Sequence, residues 1–79
     1  MTEMNQRIVR VIAEQLGIDE NTVTPEKSLT ADFGADSLDD IELVMEIEDE
    51  FGIEISDEEA EACTSVQHVF DLVARRVKP

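Results

Sequence analysis

Apolar positions recur at helical spacing in three stretches of the chain, and turn-forming residues separate them. Met4, Ile8, Val11, Ile12 and Leu16 follow one another at three- and four-residue steps, which places them on one stripe of a helix. Gly17 ends that stripe as a helix stop. From Ile18 to Asp36 no period is sustained. Asn21, Thr24, Pro25 and Gly34 mark a long ordered loop there, anchored by Val23, Leu29 and Phe33. A loop of this length in a small domain usually has a task. A second helix is predicted from Ser37 to Phe51 and closes at Gly52. The connector Ile53–Ser56 follows, with Ile53 or Ile55 turned inward. Ser56 and Glu59 form a capping-box pattern ahead of a short third helix. Thr64 and Gln67 repeat that pattern ahead of a fourth helix, whose stripe is Val66, Val69, Phe70, Val73 and Val77. The chain has no repeats, no low-complexity segment and no strand-like alternation beyond Ile53–Ile55. The predicted fold is all-α, a small up-and-down bundle of three main helices plus one short helix, in a single domain over residues 1–79.

The second helix carries more apolar residues than one core requires. At about 100° per residue, Leu43, Ile47 and Phe51, flanked by Val44, form one stripe. Leu38, Ile41 and Met45 form another on roughly the opposite side. The stripe ending in Phe51 is larger and continues into the apolar connector, so it is the one expected to be buried. Leu38, Ile41 and Met45 are then expected outside among carboxylates, as at a partner-binding surface. Singly exposed apolar residues are also ordinary on protein surfaces.

Charge sharpens this picture. The net charge is −14, and residues 31–63 alone hold fourteen acids and no base. The segments before and after balance at −2 and +2. Such a field repels nucleic acid and anionic membranes and steers basic protein surfaces toward the middle of the chain. No run approaches membrane-spanning length, and the start MTEMNQRIVR lacks the apolar stretch of a secretory signal, so a soluble cytoplasmic monomer is expected. The single Cys63 can neither form an internal disulfide nor bind zinc alone, and it reads as a buried small hydrophobe. His68 lies off the apolar stripe of its helix and is expected exposed, without a metal role. The acidic runs Glu46–Glu50 and Asp57–Glu61 lack the alternating ligands and central glycine of a calcium loop, so no metal site is expected.

The segment Asp32-Phe33-Gly34-Ala35-Asp36-Ser37-Leu38-Asp39 leads from the loop into the second helix. Gly34 permits a tight turn and Asp36 suits the N-cap. Ser37 then falls in the first turn with its hydroxyl outside the core. A phosphodiester there would meet free backbone N–H groups and the positive end of the helix dipole. On composition alone an Asp-Ser pair is equally an ordinary cap. No base stands near Ser37 in sequence, so no catalytic residue is assigned.

Gly34-Ala35-Asp36-Ser37-Leu38-Asp39 followed by Ile41-Glu42-Leu43-Val44-Met45 resembles the attachment motif and second helix of acyl carrier proteins, most closely the bacterial type II fatty-acid synthase group. The similarity continues through Phe51, Glu54-Ile55, Asp57-Glu58-Glu59-Ala60-Glu61 and Thr64-Ser65-Val66-Gln67, and it includes Ala13-Glu14-Gln15-Leu16-Gly17 in the first helix. The resemblance implies that Ser37, with Asp36 before it, is the site of a covalent 4'-phosphopantetheine arm. A phosphopantetheinyl transferase would add the arm from coenzyme A, and its thiol would carry acyl chains between fatty-acid biosynthetic enzymes. Leu38, Ile41, Glu42, Met45, Glu48 and Asp49 would then meet the basic docking surfaces of those enzymes. The resemblance further implies an acyl cavity between the second and fourth helices, lined by Leu29, Ile47, Ile55, Ala60, Cys63, Val69 and Val73. Those residues suit an ordinary core equally well.

Departures from the group bear on the cargo. Phe33, Asp40, Glu46, Ser56 and Cys63 stand where leucine, threonine, alanine, proline and isoleucine are common, and the tail Arg75-Arg76-Val77-Lys78 is more basic than usual. Asp40 falls on the core side of the wheel, an adverse place for a carboxylate unless it helps satisfy the helix start. Two other functions use the same features: a carrier dedicated to a polyketide or nonribosomal peptide pathway, and an unmodified acidic interaction module. The attachment motif argues against the second.

Overall fold

The computed structural model describes residues 2–77; the readings that touch Met1 and Lys78 lie outside these. Four helices follow in order: α1 (Glu3–Leu16), α2 (Ser37–Phe51), α3 (Asp57–Ala62) and α4 (Val66–Arg76). A single 3-10 turn at Glu20–Thr22, absent from the sequence reading, is nucleated by the Asp19 carboxylate accepting the Asn21 N–H. No strand is present among the described residues. One isolated bridge pairs Ser28 with Ser65.

Each helix begins on a short polar side chain that satisfies an orphan N–H. Thr2 accepts from Asn5, Asp36 from Asp39, Ser56 from Glu59 and Ser65 from His68. The last of these corrects the sequence reading. Thr64 is not the cap of α4; it lies one residue further out, and its hydroxyl meets His68 Nδ1 at 3.1 Å. Ser65 wins because its own N-cap conformation lets its Oγ reach the third helical N–H. At the other end of α2, Gly52 adopts φ 64, a left-handed conformation that costs a side-chain-bearing residue more. The N–H groups of Gly52 and Ile53 both reach the Glu48 carbonyl.

The core gathers Ile8, Val9, Ile12 and Ala13 of α1, Leu43 and Ile47 of α2, and Val66, Val69, Phe70 and Val73 of α4. Val9, Ala13, Ala35 and Leu72 are buried although the periodic stripes did not include them. Ile53 and Ile55 are both half-buried against the core, rather than one or the other. The long loop is stitched to the start of α4 by backbone bonds. Leu29 donates to Thr64, Val66 to Lys27 and Gln67 to Pro25, at 3.0–3.1 Å. Val23 and Leu29 anchor it as expected, while Phe33 is only half-buried.

Basic residues from both ends of the chain return to the acidic middle. Arg7 reaches Glu50 Oε2 through Nε (3.0 Å) and Nη2 (2.8 Å), and Nη2 also donates to the Glu50 carbonyl. Its guanidinium lies 4.6 Å from the Phe51 ring centre. A cation is thus held at the negative end of α2. Arg76 pairs with Glu59, joining α4 to α3 and holding the Glu59 carboxyl at about 2.

The rotation of α2 is as its larger stripe predicts. Leu43 and Ile47 are 2% exposed, whereas Leu38 is 62% and Ile41 and Met45 are each 57% exposed. Ile47→Ala should therefore cost about 2–5 kcal/mol in denaturant unfolding. Ile41→Ala and Met45→Ala should each stay within about 0.5 kcal/mol of wild type. Among the described residues, ion pairs reach only Glu50 and Glu59 of the fourteen acids of residues 31–63. The melting temperature should rise steadily as ionic strength increases from about 0.01 M to 1 M, where screening shortens to about 3 Å.

Candidate functional site

The approach to α2 is a compact turn. Ser28 accepts the Ala31 N–H on its hydroxyl, its own N–H donates to Asp32 Oδ2 at 2.7 Å, and the Ala35 N–H returns to the Leu29 carbonyl. Gly34 takes φ 68 here, which lets the chain reverse and bury Ala35 directly ahead of the helix. Asp36 then caps α2 in a full capping box. Its Oδ1 accepts from Asp39 N–H at 2.9 Å, and Asp39 Oδ2 accepts from Asp36 N–H at 3.1 Å. The Asp36 carbonyl takes the Asp40 N–H. The Ser37 and Leu38 N–H groups are left without an acceptor among the described residues.

Ser37 is exposed in the first turn. It opens onto a groove of about 360 Å³ between α2 and α3, lined by Asp40, Ile41, Asp57, Ala60 and Glu61. Behind α2 lies a second space, enclosed and apolar, walled by Leu29, Ile47, Ile55, Cys63, Val69 and Val73 among others. Six of the seven residues proposed for an acyl cavity meet there. Ala60 does not; it sits on α3 in the outer groove beside Ser37. The inner cavity measures about 10 Å³. That is scarcely room for one water, so an occupant requires α2 and α4 to separate. Burial pushes the Cys63 thiol upward, in keeping with a half-buried packing residue.

The carboxylates on α2 differ in what they do. Glu42 Oε2 accepts from Gln15 Nε2 at 2.8 Å at the surface, and Asp49 is exposed. Glu48 is tied into the fold more closely than these two. It is half-buried, and its Oε2 accepts the Ile55 N–H at 2.8 Å, pinning the connector to the helix. Asp40 faces the core side and takes no part in the capping box, which Asp36 and Asp39 form between them. Its Oδ1 is buried without a hydrogen-bond partner. Desolvation, with the neighbouring Asp39 and Asp36 charges, pushes its pKa up.

The site thus joins an exposed hydroxyl at a capped helix start, a groove below it and an apolar strip beside it. The residues fit a phosphopantetheine group: the hydroxyl offers the ester oxygen, and the unpartnered N–H groups with the helix dipole suit a phosphate. The sequence profile of the phosphopantetheine attachment site matches residues 6–73, and the chain belongs to that family. Among solved structures, a chain reported as a candidate acyl carrier protein from Mycobacterium tuberculosis is 36% identical. It superposes with a TM-score of 0.86, covering 91% of this chain and 96% of that one. Acyl carrier protein from Enterococcus faecalis is 38% identical with a TM-score of 0.78, covering 95% of this chain and 98% of that one. The chain is an acyl carrier protein by family, a carrier and not an enzyme. No helix among the described residues is long and apolar enough to cross a membrane.

The raised Asp40 pKa makes a signed prediction. A proton binds Asp40 more tightly in the folded than in the unfolded state. The penalty is therefore full above the raised value and is relieved as pH falls through it toward the ordinary 3.8. Asp40→Asn should melt higher than wild type at pH 7. The difference should shrink on mild acidification, measured by calorimetry at matched ionic strength.

Proposed function

We propose that Ser37 carries the 4'-phosphopantetheine arm and that the protein, a cytoplasmic monomer, delivers acyl groups to fatty-acid biosynthetic enzymes. The observation that carries this reading is the exposed Ser37 in the capped first turn of α2, next to the exposed Leu38, Ile41 and Met45. When bound, the arm supplies a thiol that holds acyl groups as thioesters. The protein's own part is to present the hydroxyl, receive the phosphate at the helix start and offer a surface for docking. Fatty-acid cargo is favoured over polyketide or peptide cargo by the near whole-chain resemblance to the fatty-acid group and by the hydrocarbon walls of the inner cavity.

Docking combines apolar contact through Leu38, Ile41 and Met45 with steering by Glu42 and Asp49 toward basic enzyme surfaces. Glu48 belongs to the fold of the connector and takes a smaller part. The inner cavity shelters the acyl chain once α2 and α4 part, with Leu29, Ile47, Ile55, Cys63, Val69 and Val73 as its wall.

Incubation with a phosphopantetheinyl transferase and coenzyme A should raise the intact mass by one phosphopantetheine, and Ser37→Ala should abolish the shift. A shift that persists in the variant, at Ser28, Ser56 or Ser65, refutes the assignment. Glu42→Lys and Asp49→Lys should slow association with the transferase and flatten its salt dependence, with the helical signal unchanged. Glu48→Lys should instead lower the melting temperature, because the Ile55 N–H loses its acceptor.

A further inference from the structure

Asp40 has no part in the helix cap, the docking strip or the hydrocarbon core. Among the described residues it alone lines both the open groove beside Ser37 and the enclosed cavity behind α2. It stands three residues past Ser37, on the same side of the helix. Asp40 is therefore the residue the two spaces share, the neck of any passage that opens between them, and its Oδ1 is buried without a partner. The charged or titratable groups around it are Asp36 and Asp39 on α2, Asp57 and Glu61 across the groove on α3, and the Cys63 thiol on the cavity wall. None of these groups hydrogen-bonds Oδ1. From α4 the neck meets only hydrocarbon, Val69, Leu72 and Val73.

We propose that Asp40 selects which acyl chain enters the cavity, admitting chains that bear a hydroxyl close to the thioester in preference to saturated chains. The proposal rests on the reading of Ser37 as the attachment residue. A chain tethered through its thioester enters tail first. The carbons nearest the thioester are the last to enter and come to rest at the neck. A saturated chain there strips the remaining water from Asp40 and offers no donor in return, the most adverse outcome for a buried carboxyl. A hydroxyl on the carbon next but one to the thioester carbonyl reaches the same neck and donates to Oδ1. Desolvation already pushes the Asp40 pKa up, so further drying without a donor compounds an existing penalty. The selection acts at the neck alone, because the walls beyond it are indifferent hydrocarbon and take either tail.

The test loads the full chain with octanoyl or 3-hydroxyoctanoyl arms from the corresponding coenzyme A thioesters, with intact mass confirming one arm on Ser37. Hydroxylamine cleavage, normalised to the same acyl-coenzyme A, reads how well the thioester is sheltered. Methyl shifts of Ile47, Val69 and Val73 read whether the tail is inside. In the wild type the 3-hydroxyoctanoyl thioester should be sheltered about tenfold better than octanoyl, the size of one hydrogen bond to a charged group. Asp40→Leu should reverse that order, and octanoyl should then shift the cavity methyls more. Asp40→Asn, which keeps shape and an acceptor oxygen, should retain the preference for the hydroxylated chain. Equal sheltering of the two chains in the wild type, or a preference unchanged in Asp40→Leu, overturns the proposal and leaves the carrier reading standing. Failure of the transferase to load Ser37 in the wild type overturns the reading beneath it.

Discussion

The rotation of α2 about its own axis is the constraint on which the rest of this molecule depends. A chain this short builds one core, and α2 offers two apolar stripes to it. Burying Leu43 and Ile47 closes the bundle against α1 and α4, and at the same stroke leaves Leu38, Ile41 and Met45 in solvent. The buried side, followed back toward the start of the helix, meets Asp40 and then the turn that holds Ser37. Ser37 therefore lies next to the apolar interior, while the exposed strip of Leu38, Ile41 and Met45 runs along the outer face of the same rod. One helix thus serves both interior and exterior without any catalytic group.

The position of that helix is secured from both ends. At its start, the turn of residues 28–35 is bonded within itself and to the beginning of α4, so the capping box of Asp36 and Asp39 is presented at a defined place. At its end, Arg7 binds the Glu50 carboxylate and carbonyl together and lies over Phe51. These few cationic contacts matter more here than on an ordinary surface, because they join the ends of the chain to a middle segment that otherwise repels itself. The carboxylates crowded into that segment weaken the bundle by their mutual repulsion.

Acidic residues that look alike in a list separate into distinct physical roles. Asp36 and Asp39 close a helix, Glu48 holds the connector through the Ile55 N–H, Glu50 and Glu59 receive arginines, and Glu42 and Asp49 stay at the surface. Asp40 stands apart, half inside and with an oxygen unsatisfied. A buried acceptor without a donor is a standing cost that a bound donor can relieve.

Much of this architecture was legible in the residues alone. The helix bounds of α2, its two stripes, the caps at Asp36 and Ser56, and the family follow from periodicity, capping chemistry and a long stretch of matching motif. These are local properties, set by 3.6-residue geometry and by side chains that bond to backbone within a turn. Nothing local distinguishes Glu48 from Glu42 or takes Ala60 away from the inner cavity. Those outcomes depend on where the connector and α3 come to lie against α2. The burial of Val9, Ala13, Ala35 and Leu72 is likewise tertiary, since a residue beside a stripe is buried only if a neighbouring element covers it. Charge followed the same division. The run of acids was plain in the sequence, but the return of Arg7 and Arg76 from the chain ends to Glu50 and Glu59 could be decided only by the packing of α1 and α4 around the acidic middle.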